Sequence, residues 1–259
     1  MNRAVIVTGA SQGLGAAIAS NLAVEGAAVC LVARTRKVLS VIEEGILAKG
    51  GRAMAIPADV ADPEACLQIV EKSLERWGRL DALVNNAGIL GPLAYTVDAD
   101  PWAWLDTLKV NVMGPFHLTR AAMPLLRQCS GRIVNVSSGA AARALAGAGA
   151  YCVSKAALNH FTRILAAEEP GITSVAVRPG MVDTPMQTFL RENAPSVMPK
   201  DLADYYQKVK KQGGLEPPDV PGKSIAWLAL NAPHEWSGRF LDYDDPEIAP
   251  PAGESVNGV

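Results

Sequence analysis

A doubly wound α/β domain built on a parallel sheet is the fold this sequence predicts, and three observations predict it. Short β-branched runs alternate with longer Ala- and Leu-rich stretches, the pattern of strands joined by crossover helices. Several of the short runs are apolar on both faces, as strands buried between two helix layers must be. A glycine-rich turn carrying Gly9, Gly13 and Gly15 follows the first run and opens the first helical stretch.

The elements can be justified in order. Residues 4–7 predict the first strand, with a helix after Gly13. Residues 28–32 predict the second strand, followed by a helix after Thr35. After a third strand at 53–57, Asp62-Pro63 before Glu64 supplies a helix cap and a proline at the first helical position. A fourth strand at 82–84 precedes Asp100-Pro101, which repeats that signal. Strands at 132–137 and 173–177 enclose a helix from Gly149, and another helix follows Lys200. Residues 186–214 leave the alternation. They are polar, hold Pro195, Pro199 and a Gly213-Gly214 pair, and predict a mobile lid over a pocket. Residues 1–245 thus read as one domain. Residues 246–259 read as a tail whose last dozen residues are poorly ordered and whose first part could pack on a partner subunit.

Bulk composition excludes several classes of function. The chain has 259 residues, enough for one sizeable core. Apolar residues make up 49% and charged residues 19%, which argues against disorder. The net charge of −2, with no basic block, gives no footprint for nucleic acid. No apolar stretch reaches the length of a membrane span. The first strand starts too early to leave room for a signal peptide, which predicts a cytoplasmic protein. Cys30, Cys66, Cys129 and Cys152 are scattered and read as free thiols; they and the three distant histidines show no metal-ligand spacing. No metal is expected.

Two motifs carry chemistry. Thr8-Gly9-Ala10-Ser11-Gln12-Gly13-Leu14-Gly15 joins a strand to a helix. Glycines there let a pyrophosphate approach backbone N–H groups at the helix N-terminus. At the end of the second strand, where an NAD site carries an acid for the ribose, the chain has Ala33, then Arg34 and Thr35. A guanidinium at that point suits a 2′-phosphate and favours NADP(H); otherwise Arg34 and Arg36 are simply a solvated helix start. The second motif is Tyr151 and Lys155, four apart and so on one helix face, with Ser138 thirteen residues earlier. An ammonium beside a phenol is expected to lower the Tyr151 pKa toward working pH, making it a proton donor and acceptor for hydride chemistry at a carbonyl. Ser137 is the alternative to Ser138, and the spacing to Tyr151 favours Ser138. Arg143 and the Ala/Gly-rich run around it are expected to wall the substrate pocket.

With these motifs in order, together with Asp59-Val60, Asn85-Asn86-Ala87-Gly88, Asn111 and Pro179-Gly180-Met181-Val182-Asp183-Thr184, the chain resembles the short-chain dehydrogenase/reductase family over about residues 4 to 245. The resemblance implies a seven-stranded parallel Rossmann sheet with helices on both faces. It implies that Asp59 and Val60 contact the adenine and that Asn85, Asn86, Ala87 and Gly88 line the cofactor. Pro179, Gly180, Val182 and Thr184 would hold the nicotinamide. Ser138 would bind the substrate carbonyl, Tyr151 would give the proton, and Lys155 would hold the ribose. Asn111 would kink its helix and serve a proton relay. Homodimers or homotetramers, through the helices starting near Pro101 and Gly149, are also implied.

Segments 166–170, 178–187 and 237–246 are similar to those of fungal relatives of sepiapterin reductase and benzil reductase. That implies an NADPH-dependent carbonyl reductase for an activated ketone such as a vicinal diketone. Gln12, where some NADP-binding members have a basic residue, leaves the NADP(H) reading on Arg34. A secondary alcohol dehydrogenase running oxidatively and a cofactor-binding regulator without turnover are the competing readings.

Overall fold

A computed structural model describes residues 3–248 of the chain. Its strands are β1 (Ala4–Thr8), β2 (Ala28–Ala33), β3 (Arg52–Pro57), β4 (Ala82–Asn85), β5 (Arg132–Val136), β6 (Thr173–Arg178) and β7 (Phe240–Asp242). Its helices are α1 (Gly13–Val24), α2 (Arg36–Ala48), α3 (Pro63–Trp77), α4 (Pro101–Leu108), α5 (Gly114–Gln128), α6 (Gly149–Glu168), α7 (Pro185–Asn193), α8 (Lys200–Lys211) and α9 (Asp219–Asn231). All seven strands form one parallel sheet in the order β3-β2-β1-β4-β5-β6-β7.

Alternation along each strand splits the core in two. Val5, Val7, Val29, Leu31, Val84, Val134 and Val175 face α1, α2 and α9. Ile6, Cys30, Val32, Leu83 and Ile133 face α3, α5 and α6. Each fully buried Leu or Ile among them stabilises by roughly 1.5–3 kcal/mol. Because β1 leads outward to β2 and β3 while β4 leads the other way, a crevice opens at the carboxyl ends of β1 and β4.

The predicted caps form. Asp62 accepts the Glu64 N–H at 2.9 Å, and Asp100 accepts those of Trp102 and Ala103, each at 3.2 Å. The helix from Pro101 continues further than its sequence pattern indicates. It passes through one π-helical turn, Lys109–Met113, directly into α5. Two elements escape the sequence reading. Pro221 and Gly222 in the first turn of α9 look like breakers, yet Gly222 is where α9 meets α1, since a Cβ there would stand 3.1 Å from that of Ala17. Strand β7 is only three residues long.

The stretch expected to be a lid folds into α7 and α8, joined through a 3₁₀ turn at Ala194–Ser196. Leu190, Ala194, Met198, Ala203 and Tyr206 give it an apolar cluster separate from the two sheet faces. At the other end, Ile248 is buried in the sheet core. The rest of the expected tail, residues 249–259, lies outside the described residues.

Candidate active site

The crevice is a cleft of about 1070 Å³ with the glycine turn as its floor. Gly9 has φ +66°, and a Cβ there would sit 2.8 Å from Asn86 Nδ2. A Cβ on Gly15 would run into the Gly9 carbonyl and stand 2.5 Å from the same nitrogen. Only glycine lets α1 start this close to β4. No side chain caps α1, so its first N–H groups are left for an anion. These features fit a dinucleotide pyrophosphate.

Thr8 and Asn86 hold the turn in place. Thr8 Oγ1 accepts the Asn86 N–H at 3.0 Å and the Ala87 N–H at 2.9 Å, and Asn86 Nδ2 donates to the Thr8 carbonyl at 2.8 Å. Ser11, Gln12, Gly13 and Leu14 line the cleft beside Gly9 and Gly15, with Thr184 packed on Gly13. Arg34 and Thr35 line the corner at the end of β2. The Arg34 side chain is exposed and, among the described residues, has no hydrogen-bond or ion-pair partner. Asp59 and Val60, beyond the neighbouring strand β3, line the cleft as well. Gly88, Pro179, Gly180 and Val182 complete this half. Val182 is held by a bridge to Glu216, and Gly180 (φ +73°) lies against the Tyr243 ring.

Thr8 and Asn85, expected to touch the cofactor, and Asn111, expected to kink its helix and serve a proton relay, do not line the cleft. Thr8 is buried beneath it, its hydroxyl spent on the two N–H groups just described. Asn85 points into the opposite layer, because the strand alternation that brings Asn86 to the crevice turns Asn85 away. Its Nδ2 donates to Asn135 Oδ1 at 2.8 Å, and Asn135 Nδ2 donates in turn to Thr162 Oγ1 at 2.9 Å. Asn111 is fully buried in the π-helical turn. Its side chain clamps Ile89 like a strand neighbour: Oδ1 accepts the Ile89 N–H and Nδ2 donates to the Ile89 carbonyl, both at 2.8 Å.

At the far end Ser138, Tyr151 and Lys155 converge. Ser138 is in extended backbone, and its Oγ accepts the Ala140 N–H at 3.2 Å. Neighbouring Ser137 is buried with an unpartnered hydroxyl, while Ser138 hydrogen-bonds the Tyr151 phenol. Tyr151 and Lys155 share one face of α6, as their spacing requires.

The electrostatics differ from the sequence expectation. Burial pushes the Tyr151 phenol up to about 12, and the Ser138 hydrogen bond opposes the rise without cancelling it. Burial therefore outweighs the expected lowering, with Lys155 Nζ donating to the Val136 carbonyl at 2.8 Å and lying 5.7 Å from the Tyr151 ring centroid. Burial also brings the Lys155 ammonium down to about 8. The Cys30 and Cys66 thiols are pushed up to about 12, chiefly by burial, which keeps them unreactive. All four cysteines are free, and no cluster of metal-ligating side chains occurs among the described residues.

Other cleft residues carry no sequence signal. The lid contributes Met186, Leu190, Met198, Leu202, Tyr205 and Tyr206. Arg178 pairs with Asp242, joining the ends of β6 and β7 beside Ser138. Only the apolar spacing of α8 hints at the buried position of Tyr206.

Comparisons with known proteins agree with this geometry. A family model described as short chain dehydrogenase matches residues 3–195. Benzil reductase ((S)-benzoin forming) of Saccharomyces cerevisiae is 32% identical over 266 residues, covering 98% of this chain and 100% of that protein. A solved short-chain dehydrogenase/reductase from Saccharomyces cerevisiae superposes with a TM-score of 0.91 at 35% identity, over 95% of this chain and 98% of that one. A structure of actinorhodin polyketide ketoreductase with NADPH gives a TM-score of 0.84 at 28% identity, covering 93% of this chain and 95% of that one. With the match running from β1 past α6 into the lid, the chain belongs to the short-chain dehydrogenase/reductase family, oxidoreductases that use a nicotinamide cofactor.

Proposed function

We propose that this protein is an NADPH-dependent carbonyl reductase of activated ketones, vicinal diketones foremost. The observation that carries the reading is the hydrogen-bonded Ser138–Tyr151 hydroxyl pair opening on the cleft with Lys155 behind it. Bound on the glycine turn, the nicotinamide cofactor would supply the hydride. Gly9, Gly13 and the α1 N-terminus would hold its pyrophosphate. Arg34, with Thr35, would take the 2′-phosphate, and the free guanidinium supports that choice over NAD(H). Asp59 and Val60 would flank the adenine, Asn86 to Gly88 the central part, and Pro179 to Thr184 the nicotinamide.

Ser138 and Tyr151 would donate to the substrate oxygen as charge develops on it, and Tyr151 would pass over its proton, leaving an alcohol. Lys155 would return the proton to Tyr151. Asn111 would act as a positioning residue, fixing the Ile89 backbone beside Lys155.

The benzil reductase likeness supports the diketone class. Exposed Trp102, Leu105, Phe116, Val153 and Ile164 on α4, α5 and α6 support a homodimer or homotetramer, measurable by light scattering against the 27.2 kDa chain. No helix among the described residues is long and apolar enough to cross a membrane; a cytoplasmic location is part of the same proposal.

The test is loss of reduced-cofactor absorbance with NADPH and with NADH across vicinal diketones, quinones, pteridines and simple ketones. Turnover of a diketone with NADPH alone is expected. Turnover with NADH in preference would overturn the cofactor assignment, and none with either would overturn the activity.

A further inference from the structure

Two polar groups on the cleft wall have no part in the reaction just described. Tyr206, on α8, is 7% exposed and belongs to the apolar lid cluster against which Tyr151 packs. Its ring meets that of Tyr205 edge to face, centroids 5.7 Å apart, which fixes its direction. It lines the cleft, and among the described residues its hydroxyl has no hydrogen-bond partner.

Arg143 approaches from the turn after Ser138. Its N–H donates to the Gly139 carbonyl at 3.1 Å, and its side chain folds back over that glycine. A Cβ on Gly139 would stand 3.0 Å from Arg143 Nη2, so the missing side chain makes room for the guanidinium next to Ser138. Arg178 nearby has Asp242 as its counter-ion, whereas Arg143 pairs with no carboxylate among the described residues. Burial holds the Tyr206 phenol above its ordinary range, and the Arg143 guanidinium is close enough to oppose that rise without reversing it.

An unpaired hydroxyl set in an apolar wall calls for an acceptor oxygen, and the exposed Arg143 guanidinium beside it is free to give one a charge-assisted hydrogen bond. Ser138 and Tyr151 already provide for one oxygen of a substrate. We propose that Tyr206 and Arg143 form a second oxygen subsite, which binds an acceptor oxygen on the carbon next to the ketone being reduced. The site would then select vicinal dicarbonyls and 2-keto acids over simple ketones. This rests on the carbonyl-reductase reading and adds the residues that set its substrate class.

Three phenyl ketones separate the sources of that oxygen: 1-phenyl-1,2-propanedione, phenylglyoxylate and propiophenone. The expected result is that Tyr206→Phe and Arg143→Gln each lower the ratio of kcat/KM for the favoured dicarbonyl to that for propiophenone at least tenfold, mostly through KM. Loss on phenylglyoxylate alone assigns the oxygen to a carboxylate, and loss on the dione alone to a carbonyl; either supports the subsite. Ratios unchanged in both variants overturn it. Thermal melting establishes that each variant is folded. Phenylglyoxylate and dione binding to NADPH-loaded Tyr151→Phe, by calorimetry, gives a readout without turnover, and adding Arg143→Gln should weaken one of them at least tenfold. If the wild type reduces none of the three, the activity reading falls and this binding measurement alone decides the subsite.

Discussion

Lys155 Nζ donates to the Val136 carbonyl at 2.8 Å and lies 5.7 Å from the centre of the Tyr151 ring, so the lysine is anchored to β5 while it faces the phenol. Lys155 is buried and Tyr151 half-buried, and loss of solvent moves both toward their neutral forms, Tyr151 to about 12 and Lys155 to about 8. The first prediction concerns pH. Below about 8 Lys155 is charged, and above it the charge is lost. Ketone reduction should therefore decline as pH rises through about 8, with Tyr151 itself still protonated. Lys155→Arg, which keeps its charge, should move the decline to higher pH. A pH profile of kcat/KM checks this, and a profile flat well past the Lys155 value refutes it. The same shift acts on stability with a definite sign. The unfolded chain keeps the lysine proton up to about 10.5, so this group adds stability as pH rises from about 8 to 10.5.

Tyr151→Phe removes one oxygen from a packed ring. Turnover should drop by about 10²–10⁴-fold, the usual contribution of a positioned general acid. NADPH affinity, read by fluorescence titration, should stay within about twofold, since the glycine turn and Arg34 are untouched. A variant that keeps wild-type turnover would remove Tyr151 from the role of proton donor.

Arg34→Ala should raise the KM for NADPH by about ten- to a hundredfold, the equivalent of one charge-assisted hydrogen bond. The KM for NADH should barely change, because the ribose hydroxyl gives the guanidinium no charge to meet. Steady-state titration of each cofactor measures both. Equal losses for the two would mean that Arg34 supports the fold of the corner and does not read the phosphate.

Thr8→Val keeps the shape of the side chain and deletes the acceptor for the Asn86 and Ala87 N–H groups. The Asn86 N–H keeps the Val84 carbonyl at 3.1 Å, so the Ala87 N–H is the donor left unpaired; this should cost about 1–3 kcal/mol, a fall in melting temperature of roughly 2–12 °C for a chain of this size. Scanning calorimetry measures it. Cofactor affinity should weaken as well, because the same bonds fix the glycine turn at the switch point.

The sequence made some of the site legible because its residues are fixed by local spacing. Four residues bring Lys155 under Tyr151 on any helix, and the glycine turn declares itself between a strand and a helix. Contiguous motifs were less informative. Asn85 and Asn86 are neighbours in the chain, yet strand alternation sends one to the Asn135–Thr162 network and the other to the cleft. Helix α9 was hidden because Pro221 and Gly222 read as breakers, while the value of Gly222 lies in packing on α1. The direction of the Tyr151 shift was misread because pattern shows which charge stands nearby and not how deeply the pair is buried. Tyr206, Arg143 and the Arg178–Asp242 pair come together only in three dimensions.

Segment 186–214 packs Leu190, Ala194, Met198, Ala203 and Tyr206 onto Leu90 and Ala148, in a cluster apart from both faces of the sheet. Its evolution can therefore run on a separate clock. Exchanging side chains within α7 and α8 reshapes the room offered to a guest molecule while the strands and the glycine turn keep their packing. An engineer seeking a new substrate range for this scaffold should recombine residues 186–214 as one cassette and leave the dinucleotide half as it stands.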